Sequence, residues 1–316
     1  MASFAQFRRT LPPGARFSEW PAADGWPLRR FDLLASAESG RGSILFQGGR
    51  GDIVEKYLEL LAHWHAAGWS ITSFDWRGQG GSGRLSGNAH CGHIDSFDSY
   101  IRDYRDFYAD WAATAAGPRI AIGHSMGGHL VLRALVERAV RPDAAVLVAP
   151  MLGLHSPLGA HGGELFARLM ARIGDPKRLA WKANEIPVAQ ASRQALLTHD
   201  ADRYADELWW READPKLELG PPSWQWVREA FISTRHVRDD PRLATMDVPT
   251  LMLVADADKL VRARSALAIA AALPDCEVIR FGPESAHEIL READPVRDRA
   301  IRAIDGFLES RAPAAT

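Results

Sequence analysis

The chain has 316 residues, 47% hydrophobic and 25% charged, which is enough to enclose a sizeable core in one large α/β domain with an insertion, or in two domains. With 38 Lys and Arg against 40 Asp and Glu, the formal net charge of −2 gives no reason to expect a nucleic-acid partner. No run approaches the roughly 18 apolar residues of a membrane span, and Met1–Thr10 carries Arg8 and Arg9 without the apolar stretch of a signal peptide.

Two edge strands, Arg16 to Trp20 and Trp26 to Leu34, flank the turn Ala23-Asp24-Gly25. A short buried strand, Ser43 to Phe46, runs into the glycine-rich loop Gln47 to Asp52. Val54, Tyr57, Leu58, Leu61 and Trp64 then share one helical face that ends at Ala67-Gly68. The next strand, Trp69 to Trp76, is closed by Arg77-Gly78-Gln79-Gly80-Gly81-Ser82-Gly83, and a helix is expected from about Ser96 to Ala113. The apolar run Ile120-Ala121-Ile122 follows, then G-x-S-x-G (Gly123 to Gly127) and a helical pattern after Ser125. Further strands are expected at Ala144 to Ala149, Val248 to Ala255 and Glu277 to Phe281, with helices near 261–272 and 295–310. Alternating strands and helices imply a mostly parallel, eight-stranded α/β sheet covered on both faces. The alternation breaks between Pro150 and Asp247, where helical spacing (Leu165, Leu169, Met170, Ile173), scattered prolines and several tryptophans predict a helical cap. The organisation is therefore a core of 1–150 and 247–316 interrupted by a cap of 151–246. Beyond Ser310 the Ala-rich tail is expected to fray.

A strand that turns sharply into a helix needs glycines where the backbones close up, and it exposes the residue between them at the strand end. Ser125 sits there, and the helix N–H groups beginning at Met126 point at whatever it attacks. A serine hydroxyl needs a base. Among 11 histidines, His287 is singled out because the loop after the last strand can carry it to Ser125. His124, next to the nucleophile, does not fold back onto it easily, and His63, His65, His129, His155, His161, His199 and His236 suit helix or cap positions. His90, Cys91 and His93 lack the further ligands of a tetrahedral metal site, so no metal is expected. Cys91 and Cys276 lie far apart in sequence, which fits a reducing cytoplasm better than a disulfide framework. The acid is expected on Asp256-Ala257-Asp258, where Asp258 lies deeper in the turn and is preferred, with Asp256 as the alternative. The glycine-rich loops at 47–52 and 77–83 lack the spacing of nucleotide-binding motifs, so no cofactor is expected. The first loop instead suits a second oxyanion donor, the Arg50 N–H, with Gly49 as the close alternative.

Phe74-Asp75-Trp76-Arg77-Gly78-Gln79-Gly80-Gly81-Ser82, the G-H-S-M-G-G elbow, Ala257-Asp258-Lys259-Leu260-Val261 and Ala286-His287 resemble the α/β-hydrolase superfamily. More narrowly, they resemble its bacterial lysophospholipase L2 and monoacylglycerol lipase group, from about residue 25 to 310. That resemblance implies a serine esterase acting on a small-molecule substrate, a single-chain acyl ester or lysolipid. Ser125 matches the nucleophile, Asp258 the acid, His287 the base and Met126 an oxyanion donor. The usual His-Gly before the other donor reads Gly48-Gly49 here. In the cap, Trp181, Trp209, Trp210, Trp224 and Trp226, with Phe166 and Leu169, are candidates for an acyl pocket. Arg203 and Arg211 are candidates for a phosphate headgroup, weighed against an ordinary solvated face, and the cap is a candidate for transient membrane-surface contact. Amide hydrolysis by the same apparatus and a non-catalytic binding role are the competing readings.

Overall fold

The computed structural model describes residues 4–36, 40–181 and 193–313. Eight strands form one sheet: β1 (Arg16–Pro21), β2 (Pro27–Leu33), β3 (Gly42–Gln47), β4 (Trp69–Phe74), β5 (Arg119–His124), β6 (Ala144–Val148), β7 (Thr250–Ala255) and β8 (Cys276–Phe281). Their order is β1-β2-β4-β3-β5-β6-β7-β8. The β1–β2 and β2–β4 pairs are antiparallel and every other pair is parallel.

Burial follows from this order. The inner strands β3, β6 and β7 are buried along their whole length, as parallel strands covered on both faces must be, whereas the edge strands β1 and β8 are partly exposed. Helices α1 (Leu58–Ala66) and α8 (Asp294–Arg311) cover one face, with Trp64, Ile301 and Phe307 in its core. Helices α2 (Phe97–Thr114), α3 (Met126–Val136) and α7 (Ala263–Ala270) cover the other, with Tyr104, Leu130 and Ile269. The expected helix at 54–66 begins as a 3₁₀ turn, Val54–Tyr57, before α1 proper. The C-terminal helix runs to Arg311 and Ala312 is buried, so the chain stays packed past Ser310; residues 314–316 of the tail lie outside the described residues.

Between β6 and β7 the described residues form α4 (Gly159–Arg172), α5 (Ala201–Ala213) and α6 (Trp224–Asp239), a helical cap. From β3 the chain moves outward to β4, then returns to the far side of β3 as β5. The loops leaving β3 and β5 therefore diverge, which opens a crevice at the carboxyl ends of these two strands. The Gln47–Asp52 loop and Ser125 both sit at that crevice.

Candidate active site

Ser125 adopts φ 53° and ψ −117°, a conformation that side chains rarely take. Neighbouring bonds hold it there: its N–H donates to the Val148 carbonyl at 2.9 Å, and its carbonyl accepts from His129 and Met151. Close packing dictates the flanking glycine, since a Cβ on Gly123 would lie 2.7 Å from the Gly127 carbonyl. The side chain faces a cavity of about 440 Å³, a size suited to a small organic ligand. Met151, Leu154, Trp226, Phe231 and Val261 give the cavity apolar walls.

Three side chains distant in sequence meet at this crevice. Ser125 Oγ lies 2.8 Å from His287 Nε2, and His287 Nδ1 lies 2.6 Å from Asp258 Oδ2. The other Asp258 oxygen accepts from the Leu260 and Val261 N–H groups at 2.7 and 3.0 Å, which fixes the carboxylate. Of the two aspartates weighed from sequence, Asp258 meets the imidazole, whereas Asp256 pairs with Arg280 at the surface. All three groups are buried. Burial alone would raise the Asp258 carboxyl, but the His287 charge and hydrogen bond and the two N–H donors hold it below its ordinary value. Burial alone would lower the imidazole, but the Asp258 charge and hydrogen bond outweigh it and raise His287 above its ordinary value.

Facing Ser125 across the crevice is the loop after β3. A Cβ on Gly49 would lie 2.9 Å from the Ser125 Cβ, so glycine is needed for this approach. The Gly49 N–H donates to Asp52 Oδ2 at 2.7 Å, which favours Arg50 over Gly49 as a donor toward the serine. Trp76 Nε1 donates to the Gly48 carbonyl, and Gln79 Oε1 accepts from the Gly51 N–H, so the glycine-rich turn at 77–83 braces the first loop. Met126 opens α3 directly beside the serine.

Several participants escape a reading of the sequence. Contrary to expectation, His124 belongs to the site: its ring centroid is 4.9 Å from that of His287, and its Nδ1 lies 3.1 Å from Asp52 and 2.9 Å from the Tyr57 hydroxyl. The Asp52/Lys56 pair, four residues apart, was the available signal. Arg203 and Arg211 also differ from the sequence expectation. They lie not on a solvated face but buried, Arg203 against Glu59, Asp200 and Asp294 and Arg211 against Glu207. Of the seven apolar cap residues considered, Trp181 and Trp226 line the cavity. Phe166 packs edge-on against Trp224 and is itself exposed, Leu169 and Trp209 are also exposed, and Trp210 donates to the Arg8 carbonyl. Residues 182–192 of the cap lie outside the described residues. His155 bonds the Asp258 and Val261 carbonyls, and fully buried His129 bonds Ser233, its pKa lowered to about 3 by burial. Among the described residues no His, Cys, Asp or Glu group comes together to hold a metal ion.

Residues 38–294 match a family model described as serine aminopeptidase, S33. Lysophospholipase L2 of Escherichia coli (strain K12) is 31% identical over 311 residues, covering 92% of this chain and 86% of that protein. Probable lysophospholipase L2 of Haemophilus influenzae is 26% identical, covering 87% of this chain and 86% of its own. Among solved structures, a soluble variant of monoglyceride lipase from Saccharomyces cerevisiae, bound to a substrate analog, superposes with a TM-score of 0.76 at 17% identity over 97% of each chain.

Proposed function

Since the chain belongs to the serine aminopeptidase S33 family of α/β-hydrolases and is a serine ester hydrolase, we propose that it cleaves single-chain acyl lipids, as a lysophospholipase or monoacylglycerol lipase, through Ser125, His287 and Asp258. The observation that carries this reading is the unbroken chain of hydrogen bonds from Ser125 Oγ through the imidazole to Asp258, at the floor of an apolar cavity. Ser125 Oγ attacks the ester carbonyl while His287 Nε2 takes its proton. Asp258 keeps the ring in the required tautomer and stabilises its charged form. The Met126 and Arg50 N–H groups meet the oxyanion, each such donor being worth about 3 kcal/mol. His287 then gives its proton to the departing alcohol. Water, deprotonated by the same nitrogen, cleaves the acyl-enzyme and restores Ser125.

Residues 151–246 act as the cap over a core of 1–150 and 247–316, and the acyl chain lies along the apolar walls beneath it. A cytoplasmic setting is supported by two free cysteines, Cys91 and Cys276. No described helix is long and apolar enough to cross a membrane. Transient contact with a lipid surface is supported by the outward face of α4, where Leu165, Phe166, Leu169 and Ile173 are exposed beside Arg172.

Ser125→Ala is expected to fold, to lose fluorophosphonate labelling, and to lose hydrolysis of lysophospholipids, monoacylglycerols and p-nitrophenyl esters by about 10⁴-fold or more. Hydrolysis persisting at the wild-type rate would overturn the reading. The family description gives amide hydrolysis a specific claim to be tested alongside. A proline p-nitroanilide turned over faster than a medium-chain monoacyl ester would transfer the assignment to an amidase.

A further inference from the structure

Beneath the catalytic crevice lies a cluster of six ionic side chains from three separate elements. Asp52 and Lys56 follow β3, Glu288 and Arg291 follow the histidine, and Glu207 and Arg211 come from cap helix α5. Lys56 Nζ lies 2.6 Å from Asp52, 2.5 Å from Glu288 and 2.9 Å from Glu207. Glu207 also lies 3.0 Å from Arg291 and 2.6 Å from Arg211, and Arg291 lies 2.5 Å from Glu288. None of these side chains is more than 9% exposed. Three cations thus face three carboxylates: the core supplies two of each sign and helix α5 one of each, so what the cap adds is not net charge but a further ionic partner for Lys56 and for Arg291.

The cluster reaches both halves of the catalytic apparatus. Asp52, held by Lys56, accepts from the Gly49 N–H and so shapes the loop opposite Ser125. Arg211 donates to the Gly51 carbonyl in the same loop at 3.2 Å. Glu288 is the neighbour of His287, and its N–H donates to the cap residue Leu197 at 2.7 Å, beside a 3.3 Å bond from the His287 N–H to Leu196. Thr198 Oγ1 donates to the Arg291 carbonyl at 2.8 Å. A well-packed apolar contact would join a cap to a core at least as stably as buried ion pairs do. Ion pairs differ in being directional, so they fix where each partner sits.

We infer that helix α5 sets the positions of the oxyanion loop and of the histidine, with Glu207 and Arg211 as positioning residues for hydrolysis at Ser125. This rests on the activity proposed above. The cap's role is then twofold: it covers substrate, and it completes the site geometrically. Misplacing an oxyanion donor or a base by about 1 Å typically costs up to 10²-fold in rate.

The test uses Glu207→Gln and Arg211→Met, close in volume to the residues they replace, on a soluble short-chain p-nitrophenyl ester, with competent sites counted by fluorophosphonate titration. Per competent site, kcat is expected to fall about tenfold or more and KM to change less than about threefold, with fluorophosphonate inactivation slowed in parallel. Arg211→Lys should recover part of the loss, because an ammonium still reaches toward Gly51. Asp206→Asn, one residue earlier on α5 and facing Arg8 and Arg9 instead, should lower thermal stability and leave kcat unchanged. If Glu207→Gln does not fold, the Arg211 pair decides the matter. A kcat per competent site within about twofold of wild type in Arg211→Met would overturn the inference, as would an equal fall in Asp206→Asn. Retained hydrolysis in Ser125→Ala would instead overturn the underlying activity.

Discussion

The two halves of the cap are built on opposite principles. Helix α5 buries charge: Arg203 pairs with Glu59 and Glu207 with Lys56 of the core, while Arg211 pairs with Glu207 and donates to the Gly51 carbonyl. Helix α4 exposes oil. Its buried residues are Gly163, Ala167 and Ala171, with Glu164 paired to Arg168 and to Arg235 of α6, and a Cβ on Gly163 would lie 2.8 Å from Phe231 of α6, so small residues let the two helices close up. The large apolar side chains point the other way, with Leu165 and Leu169 each 54% exposed and Ile173 55%. An amphipathic helix in a globular protein ordinarily turns its large apolar stripe to the core. The difference separates two tasks: α5 is fastened to the loops around Ser125 and His287 through Lys56, Gly51 and Arg291, and α4 presents an outward apolar surface.

The chemistry that the α5 side serves sets the upper scale for any effect there. Asp258→Asn should leave the fold intact and lower kcat by about 10⁴-fold, because the imidazole loses the partner that fixes its tautomer. Positioning residues should cost far less. The pH dependence sharpens this. In the proposed mechanism His287 must be neutral to accept the serine proton, and Asp258 raises it above its ordinary value. The acid limb of kcat/KM is therefore expected above about pH 6.5, and it should move downward in the residual activity of Asp258→Asn. The sign for stability is opposite. Protonated His287 stabilises the fold fully below about pH 6.5, and that contribution disappears as pH rises through the higher folded value. The enzyme works where this contribution has been lost. Asp52 and Glu207 are held below their ordinary values and Lys56 above its own, so these three stay charged throughout the neutral range and add no limb of their own. An acid limb unchanged between wild type and Asp258→Asn would break the link between the carboxylate and the base.

On the α4 side, the expected outcome is the mirror image. Leu165→Ser with Leu169→Ser should weaken sedimentation with anionic phospholipid vesicles by about tenfold, since each side chain loses apolar area that enters the lipid. Hydrolysis of a soluble ester should stay within about twofold and stability within about 0.5 kcal/mol, because neither residue packs in the core. A fall in soluble-ester kcat without a change in vesicle binding would mean that α4 also shapes the site, and the division of the cap would fail.

What the sequence discloses tracks how local each signal is. The strands, the elbow at Ser125 and the order of serine, aspartate and histidine are carried by short windows, and the eight strands lie where apolar runs and turn glycines place them. The choice of Asp258 over Asp256 needed only the depth of one turn. The ionic cluster was illegible because Lys56 and Glu207 are far apart in the chain. A charged residue on an amphipathic helix has the same pattern whether water or a buried counter-charge faces it, so Arg203 and Arg211 resembled surface residues. The helical spacing of Leu165, Leu169 and Ile173 gave the helix but not its facing. The Gly163, Ala167, Ala171 series held that information, as a stripe where two backbones approach. Adjacency to Ser125 gives no sequence sign that His124 joins the site. Its side chain nonetheless projects from the end of β5 toward Asp52, which no one-dimensional reading of the neighbouring residue conveys.

The smallest expected effect lies at the rim of the α5 side. Residues Ala5–Phe7 form a 3₁₀ turn that leads into Arg8 and Arg9, whose Nε atoms lie 2.5 and 2.6 Å from Asp206 on α5. Trp210 Nε1 donates to the Arg8 carbonyl at 2.8 Å, and the Arg9 guanidinium sits 5.9 Å from the centre of the Trp209 ring. The N-terminal segment thus straps the outer face of the helix whose inner face carries Glu207 and Arg211. The strap's cations are partly solvated, at 22% and 48% exposure, so water competes for them and the side chains lose entropy when held. Arg8→Ala with Arg9→Ala should accordingly lower stability by about 1 kcal/mol or less, a melting shift of about 2 °C, with kcat unchanged. Differential scanning calorimetry beside soluble-ester kinetics measures both. If the double variant loses kcat as Arg211→Met is expected to, the boundary drawn between strap and cluster disappears, and the inference that Glu207 and Arg211 in particular hold the base and the oxyanion loop in place falls with it, as it would on an equal fall in Asp206→Asn.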